Sequence, residues 1–313
     1  MMQVLGIDAG GTKTVGYLAD ETGQILGEVR AGAANLHAAG EREVERVLRE
    51  VVDQVTKGRG SELAAVCVGM AGAERDTDRQ AVVAILQRLG ILGRILVVND
   101  ALVALSAGVR EGPGIVLVSG TGSIVYGRSA RGLAARAGGF GRIFGDEASG
   151  YWLGRRALQA VARASDGRGP ATRLTPLVLA HFGVTRAWDL VLQINTRVSE
   201  HGLVSALAPV VDEARAQGDG VATAILEEAA AELQGAARSV AGRLGMRDEP
   251  FGFVLAGGGF KAAPWLADEL VRRLPEIAPR ATVTRLEAEP VQGAVWLALA
   301  AARGGVRLPT YVE

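Results

Sequence analysis

One pattern constrains the fold more than any other feature of this sequence. An apolar strand runs into a short turn of glycine and threonine, and then directly into a second strand. The pattern occurs at residues 6–14, with the sequence GIDAGGTKT, and again around residues 119–123, with the sequence SGTGS. Strand and helix patterns alternate along the rest of the chain, which is typical of an α/β protein. We therefore expect two β-rich lobes of similar design, each a mixed sheet flanked by helices.

The boundary between the lobes is expected at residues 111–114, where glycine and proline separate two periodic segments. This divides the chain into an N-terminal lobe of residues 1–112 and a C-terminal lobe of residues 113–313. An apolar helix is predicted at residues 290–302, and we expect that it can pack back on the N-terminal lobe.

The first glycine turn has the chemistry of an anion site. Gly10 and Gly11 let the backbone approach a polyanion and point several N–H groups at it. Thr12 adds a hydroxyl and Lys13 adds a cation, while Asp8 supplies a carboxylate of the kind that holds hydrated Mg²⁺. A Walker A loop would place the lysine directly after the glycine and continue into a helix, whereas here a strand is predicted next. The segment is either a phosphate loop of another kind or a glycine-rich hairpin turn.

The second turn repeats these features with Gly120, Thr121 and Gly122. Such turns are common, so one of them alone is a weak signal. Two of them, one in each lobe, could hold a triphosphate from both sides.

Asp100 follows a short apolar strand and lies at the start of a predicted helix. Its carboxylate can cap that helix. It can also act as a general base, since a hydroxyl that attacks phosphorus must lose its proton to a nearby acceptor. The residues alone leave both interpretations open.

A run of three glycines at residues 257–259 follows another apolar strand. Such a run permits a ring or a sugar to approach the backbone closely. It is equally compatible with a strand-to-helix turn that requires positive φ angles.

Composition excludes several classes of protein. Lysine plus arginine and aspartate plus glutamate both number 34, so the formal net charge is zero and favours neither nucleic acid nor an anionic membrane. The single cysteine, Cys67, cannot form an internal disulfide or by itself hold zinc or an iron–sulfur cluster. We see no signal peptide and no apolar run long enough to span a bilayer, so a soluble, cytoplasmic protein is expected.

Taken in order, these segments resemble the N-acetylglucosamine kinase branch of the actin-like ATPase superfamily, the group that includes the BadF-type ATPases. GIDAGGTKT is similar to the first phosphate loop of that family, NDA at residues 99–101 to its base-bearing segment, SGTGS to its second phosphate loop and LAGGGF to its adenosine loop. Residues 138–152 are similar to its GGWGxxxGDEGSAYW stretch. The resemblance implies a two-lobed, ribonuclease H-like fold with the active site in the interlobe cleft.

The resemblance also implies roles for individual residues. Asp100 would be the catalytic base and would contact the sugar hydroxyl, and Asp8 would face Mg²⁺. The ATP-binding residues would be Gly10, Gly11, Thr12, Lys13, Gly120, Thr121, Gly122, Gly257 and Gly258.

Amino-sugar binding is assigned by the same resemblance to Asn35, Gly139, Phe140, Asp146 and Gly150, together with Asp100. The sequence departs from the family here, because Phe140 stands where tryptophan is common and Ala148 and Gly150 exchange the usual glycine and alanine. For Asp146, helix capping is compatible with either role. His37, two residues after Asn35, is a further candidate for the pocket.

The implied activity is ATP-dependent phosphorylation of an amino sugar, with N-acetylglucosamine as the expected substrate. Glucosamine and N-acetylmuramate remain alternatives, since the sequence does not show what surrounds the amino substituent. A sensor that binds sugar and nucleotide without turnover, or an ATPase activator, is the alternative of another class. Family members are often dimers, so the resemblance also implies a homodimer.

Overall fold

The computed structural model describes residues 2–73, 75–195 and 200–312. Its strands are β1 (Gln3–Ala9), β2 (Thr14–Asp20), β3 (Ile25–Ala31), β4 (Ala65–Met70), β5 (Arg94–Val98), β6 (Gly114–Ser119), β7 (Ser123–Arg128), β8 (Leu133–Gly138), β9 (Gly252–Ala256), β10 (Thr282–Arg285) and β11 (Thr310–Tyr311). Its helices are α1 (Leu36–Ala39), α2 (Glu41–Thr56), α3 (Asp76–Arg88), α4 (Asp100–Gly108), α5 (Gly150–Ser165), α6 (Leu174–Phe182), α7 (Asp189–Asn195), α8 (Glu200–Ser205), α9 (Ala208–Ala216), α10 (Gly220–Leu244), α11 (Gly258–Ala262), α12 (Pro264–Arg273) and α13 (Val291–Ala302). Single 3₁₀ turns lie at Gly60–Glu62 and Leu274–Glu276.

The chain forms two compact units. The first comprises Met1–Val116, Gly127–Ala134 and Leu286–Glu313, and the second comprises Leu117–Tyr126 and Ala135–Arg285. Residues 286–313, the end of the predicted C-terminal lobe, belong to the first unit. They include the helix that was expected to pack back on the N-terminal lobe, and α13 packs against β1, β4 and α4.

The first sheet has the strand order β3-β2-β1-β4-β5. Strands β1, β2 and β3 form an antiparallel meander, whereas β4 runs parallel to both β1 and β5. The carboxyl ends of β1, β4 and β5 therefore meet at one edge of the sheet, which is where ligands bind in α/β folds.

Helix α2 covers one face of this sheet with an apolar stripe. Val44, Val47, Leu48, Val51 and Val55 recur at helical spacing, and all five side chains are buried in one core cluster with residues of β1 and β4. The sequence pattern predicts this helix because side chains three and four residues apart share one helical face.

The second sheet has the strand order β10-β9-β6-β7-β8-β11, and both sheets are mixed and flanked by helices, as predicted. Strands β8 and β11 were not predicted. The sequence of β8, LAARAG, contains no β-branched or aromatic residue, and β11 is only two residues long, so neither gives a clear strand signal.

Helices α5 to α10 follow in the second unit, as the helical pattern of this region predicts. The longest is α10, which Asp219 caps by accepting a hydrogen bond from the N–H of Ala222 at 2.7 Å. Among the described residues, no helix combines the length and apolar character that a membrane crossing requires.

Candidate active site

The first glycine turn joins β1 directly to β2, as the sequence predicts. The N–H of Gly10 donates to the carbonyl of Lys13 at 3.0 Å, which closes the turn. Gly11, Thr12 and Lys13 are exposed, and a Cβ placed on Gly11 would meet no atom within 4 Å. The outer side of the turn is therefore open to a ligand, and it is followed by a strand and not by the helix of a Walker A loop.

Asn35 is held beside this turn. The carbonyl of Gly10 accepts a hydrogen bond from the N–H of Ala34 at 3.2 Å, and the carbonyl of Asn35 accepts one from Ala39 at the end of α1. Asn35 is half-buried. The structure thus places a residue assigned to the sugar next to the residues assigned to phosphate. The side chain of His37 lies outside the described part of the chain.

Asp8 and Asp100 both lie at the carboxyl edge of the sheet, and Gly69 lies between them. Gly69 on β4 is the register partner of Asp8 on β1 and of Val98 on β5. A Cβ on Gly69 would lie 3.5 Å from the Cα atom of Asp100 and 2.4 Å from Cγ2 of Val103. A glycine here lets the first turn of α4 pack directly on the sheet, which brings Asp100 towards Asp8.

The cap of α4 is Asn99 and not Asp100. The side-chain oxygen of Asn99 accepts a hydrogen bond from the N–H of Ala101 at 2.7 Å, and Asn99 is buried. Asp100 is half-buried in the first turn, where the helix dipole favours a carboxylate. The capping interpretation of Asp100 is therefore wrong.

The electrostatics around Asp8 are those of a crowded anionic site. Burial and then the charge of Asp100 raise the pKa of Asp8 from its ordinary value of 3.8 to about 7, and Glu289 adds a smaller effect in the same direction. Lys13 opposes these effects. The Lys13 ammonium lies 3.7 Å from Glu289, which is also 3.3 Å from Arg30. A bound cation would relieve the repulsion between these carboxylates.

The second glycine turn lies between β6 and β7, as predicted. The N–H of Gly120 donates to the carbonyl of Gly122 at 2.8 Å, and Thr121 is exposed at the tip. Each flanking serine anchors the turn from a strand end. Ser119 and Ser123 are both buried, and their hydroxyls donate to the carbonyls of Ala148 and Glu147, at 2.7 and 2.6 Å.

Asp146 belongs to a loop that is tied to this turn. The backbone N–H groups of Ser123 and Gly141 donate to its carboxylate, yet burial is the largest influence and raises the pKa of Asp146 above 3.8. Asp146 has a φ of 59° and Ala148 a φ of 65°. Positive φ is costly for residues other than glycine, so the loop is held by its hydrogen bonds.

The predicted sugar residues of this loop differ in accessibility. Phe140 is 65 % exposed, and the guanidinium of Arg136 lies 5.5 Å from the centre of its ring. Gly139 is half-buried, whereas Gly150 is buried and donates its N–H to the carbonyl of Gly120 at 2.8 Å. Gly150 thus supports the second glycine turn. The cap of α5 is Ser149, so Asp146 does not cap that helix.

The third glycine segment packs against the second turn. Gly257 has a φ of 108°, and a Cβ there would lie 2.2 Å from the carbonyl oxygen of Ser119. A Cβ on Gly258 would meet nothing within 4 Å. Gly257 therefore shapes the backbone, while Gly258 faces open space beside it.

Sequence reasoning gave Ser119 and Ser123 no role apart from their place in the second phosphate loop, and it gave none to Gly69 or Glu289. The two serines carried a signal, because each places a hydroxyl at the strand end beside a glycine turn. Nothing in the local sequence pointed to Gly69 or Glu289, whose importance depends on strand pairing and on packing of the chain's last helix.

Comparison with known proteins now identifies the class. The α/β fold is that of a proposed N-acetylglucosamine kinase of Chromobacterium violaceum, whose solved structure matches with a TM-score of 0.76 and 27 % identity and covers 96 % of this chain and 99 % of that one. The chain belongs to the BadF/BadG/BcrA/BcrD ATPase family, whose model matches residues 5–298.

Two relatives are similar to this chain over nearly their full length. The chain is 36 % identical over 301 residues to the N-acetylmuramic acid/N-acetylglucosamine kinase of Clostridium acetobutylicum, covering 95 % of this chain and 98 % of the relative. It is 32 % identical over 309 residues to the N-acetyl-D-glucosamine kinase of Dictyostelium discoideum, and the match covers 94 % of this chain and 97 % of the relative.

Proposed function

We propose that this protein transfers the γ-phosphoryl group of ATP to the 6-hydroxyl of an amino sugar, with N-acetylglucosamine as the substrate. The observation that carries the proposal is the juxtaposition of Asp8, Asp100 and the first glycine turn at the carboxyl edge of one sheet. Membership in a family of ATPases and similarity to two amino-sugar kinases support it.

Asp100 is proposed as the general base. The sugar hydroxyl oxygen forms a bond to the γ-phosphorus while the bond from that phosphorus to the bridging oxygen of ADP breaks. The hydroxyl proton passes to the Asp100 carboxylate. Backbone N–H groups and hydroxyls of the two glycine turns would bind the phosphates, and positioning would supply most of the rate enhancement.

Asp8 is proposed to face the magnesium ion that accompanies ATP. The described residues include no cluster of three or more histidine, cysteine, aspartate or glutamate side chains that could hold a metal. Magnesium in kinases does not require one, since it keeps several waters and binds one or two carboxylates together with the substrate phosphates. The half-buried Asp8 with Asp100 nearby fits this donor set, and the ion would neutralise charge on the phosphates.

The substrate could also be N-acetylmuramate, because the relative from Clostridium acetobutylicum is named for both sugars. Glucosamine remains a further alternative. An ATPase activator that works through a cysteine-bound cluster is disfavoured, since Cys67 is buried and burial raises its thiol pKa.

A coupled ADP-release assay with ATP and Mg²⁺ tests the proposal. It compares N-acetylglucosamine, N-acetylmuramate, glucosamine, N-acetylmannosamine and glucose, and it includes the Asp100→Ala variant. Asp76→Ala is the matched control, because Asp76 is likewise the first residue of a helix but lies on the surface.

We expect ADP release that depends on one or two N-acetylated amino sugars, is lost in Asp100→Ala and persists in Asp76→Ala. Absence of sugar-stimulated ADP release would contradict the proposal and favour the sensor or ATPase alternatives.

A further inference from the structure

The loop that carries Asp146 and the second glycine turn are joined by hydrogen bonds along their length. Ser119 donates to Ala148, the N–H of Gly150 donates to Gly120, and Ser123 donates to Glu147. All of these residues belong to the second unit.

Ser123 makes two of the connections around Asp146. Its hydroxyl donates to the carbonyl of the next residue, Glu147, while its backbone N–H donates to the Asp146 carboxylate. The carboxylate also fills the space that a side chain on Gly122 would need, since a Cβ there would lie 2.9 Å from Oδ2 of Asp146. Displacement of Asp146 therefore displaces the end of the glycine turn.

The backbone of the Asp146 loop is strained in the conformation that is hydrogen-bonded to the second glycine turn. Asp146 and Ala148 both have positive φ angles, in a region that is unfavourable for a residue with a side chain. The bonds from the two serines offset this cost, so either loop is ordered more easily when the other is already in place. A ligand that orders one loop thus lowers the cost of binding at the other.

We propose that Ser123 is a positioning residue that couples amino-sugar binding at Asp146 to nucleotide binding at the turn of residues 120–122. The inference rests on the proposed function, which supplies the two ligands, and on the family resemblance, which assigns Asp146 to the sugar. Each ligand then raises the affinity for the other by the same factor, as thermodynamic linkage requires.

Isothermal titration calorimetry measures this factor directly. The Kd of a non-hydrolysable ATP analogue with Mg²⁺ is measured without and with saturating N-acetylglucosamine, and the reverse titration checks reciprocity. We expect at least about fivefold tighter binding of the analogue to the wild-type protein when sugar is present. In Ser123→Ala the factor falls below about twofold, while the Kd of the analogue alone changes by no more than about threefold.

Ser106→Ala is the matched control. Ser106 is fully buried in the first unit, and its hydroxyl has no hydrogen-bond partner among the described residues. Its loss removes a buried hydroxyl without touching either loop, so the coupling factor stays at the wild-type value. If Ser123→Ala does not fold, Ser123→Cys keeps the shape with a weaker donor and is expected to reduce the factor as well.

The outcomes separate the two proposals. Wild-type protein that phosphorylates sugar but shows no coupling, or Ser123→Ala that keeps full coupling, overturns the role of Ser123 and leaves the kinase proposal intact. Wild-type protein that neither binds nor phosphorylates an amino sugar overturns both.

Discussion

The charge of Asp100 raises the pKa of Asp8, although Asp8 lies on β1 and Asp100 begins α4, which follows a strand that does not pair with β1. Gly69, on the strand between β1 and β5, lets the first turn of α4 pack against the sheet and so brings Asp100 towards Asp8. Two carboxylates near a glycine-rich turn form a site that gains from a cation and from a polyanion bound together.

The first prediction concerns the dependence of stability on pH. The pKa of Asp8 is raised to about 7, so between about pH 4 and 7 the folded protein holds a proton that the unfolded chain has lost. The contribution of Asp8 to the free energy of unfolding is fully present below its unfolded pKa and is lost as pH rises through 7. Asp8→Asn is therefore more stable than wild type at pH 8, by on the order of 1–3 kcal/mol after allowance for solvent screening, and equal to it near pH 4.

Urea unfolding at pH 4 and pH 8 checks this. Asp20→Asn is the control, because the Thr22 hydroxyl lowers the pKa of that half-buried aspartate and the variant should gain nothing at pH 8. A gain for Asp8→Asn that is equal at both pH values would contradict the assigned titration.

The second prediction distinguishes the proposed catalytic role of Asp100 from the structural role of Asn99, which caps α4. Asp100→Asn removes the proposed base, so kcat falls about 10²- to 10⁴-fold with little change in Tm. Asn99→Ala removes the cap of α4, so the free energy of unfolding falls by about 1 kcal/mol while kcat stays within about tenfold. Steady-state kinetics and thermal unfolding of both variants test it, and the reverse assignment of effects would show that Asp100 has a structural role.

The third prediction tests the packing that brings Asp100 into the site. Gly69→Ala forces a methyl group to within 2.4 Å of Val103, so α4 must shift and both Tm and kcat decrease. Adding Val103→Ala to the Gly69→Ala variant removes the closest atom, so part of the lost Tm and part of the lost kcat are restored. A double-mutant cycle measures this coupling, and simple additivity of the two changes would argue against direct packing.

The fourth prediction compares two adjacent glycines. Gly257→Ala combines a φ of 108° with a methyl group 2.2 Å from a backbone carbonyl, so it destabilises the protein by about 1–3 kcal/mol. Gly258→Ala meets no protein atom, so stability changes by no more than about 0.5 kcal/mol.

If adenosine binds over this segment, Gly258→Ala weakens nucleotide binding severalfold without loss of Tm. Titration with an ATP analogue and a thermal melt distinguish the two positions. Unchanged nucleotide affinity in Gly258→Ala would place the adenosine elsewhere.

Features that depend only on neighbours along the chain can be predicted from the residues alone. The stripe of apolar residues on α2, the unbroken apolar run of β4 and the two glycine turns between strands all follow local periodicity, and the structure has them where the patterns predict. The α/β class follows from the same patterns.

The approach of residues that are distant in the chain follows only from the folded structure. Neither the approach of Asp100 to Asp8 nor the bonds from Ser119 and Ser123 to the Asp146 loop can be read from spacing, because each depends on strand order and on the path of a loop. The choice between Asn99 and Asp100 as the helix cap also needed the structure. Both side chains suit the role, and the structure shows that Asn99, with extended backbone, is the residue that accepts from the N–H of Ala101.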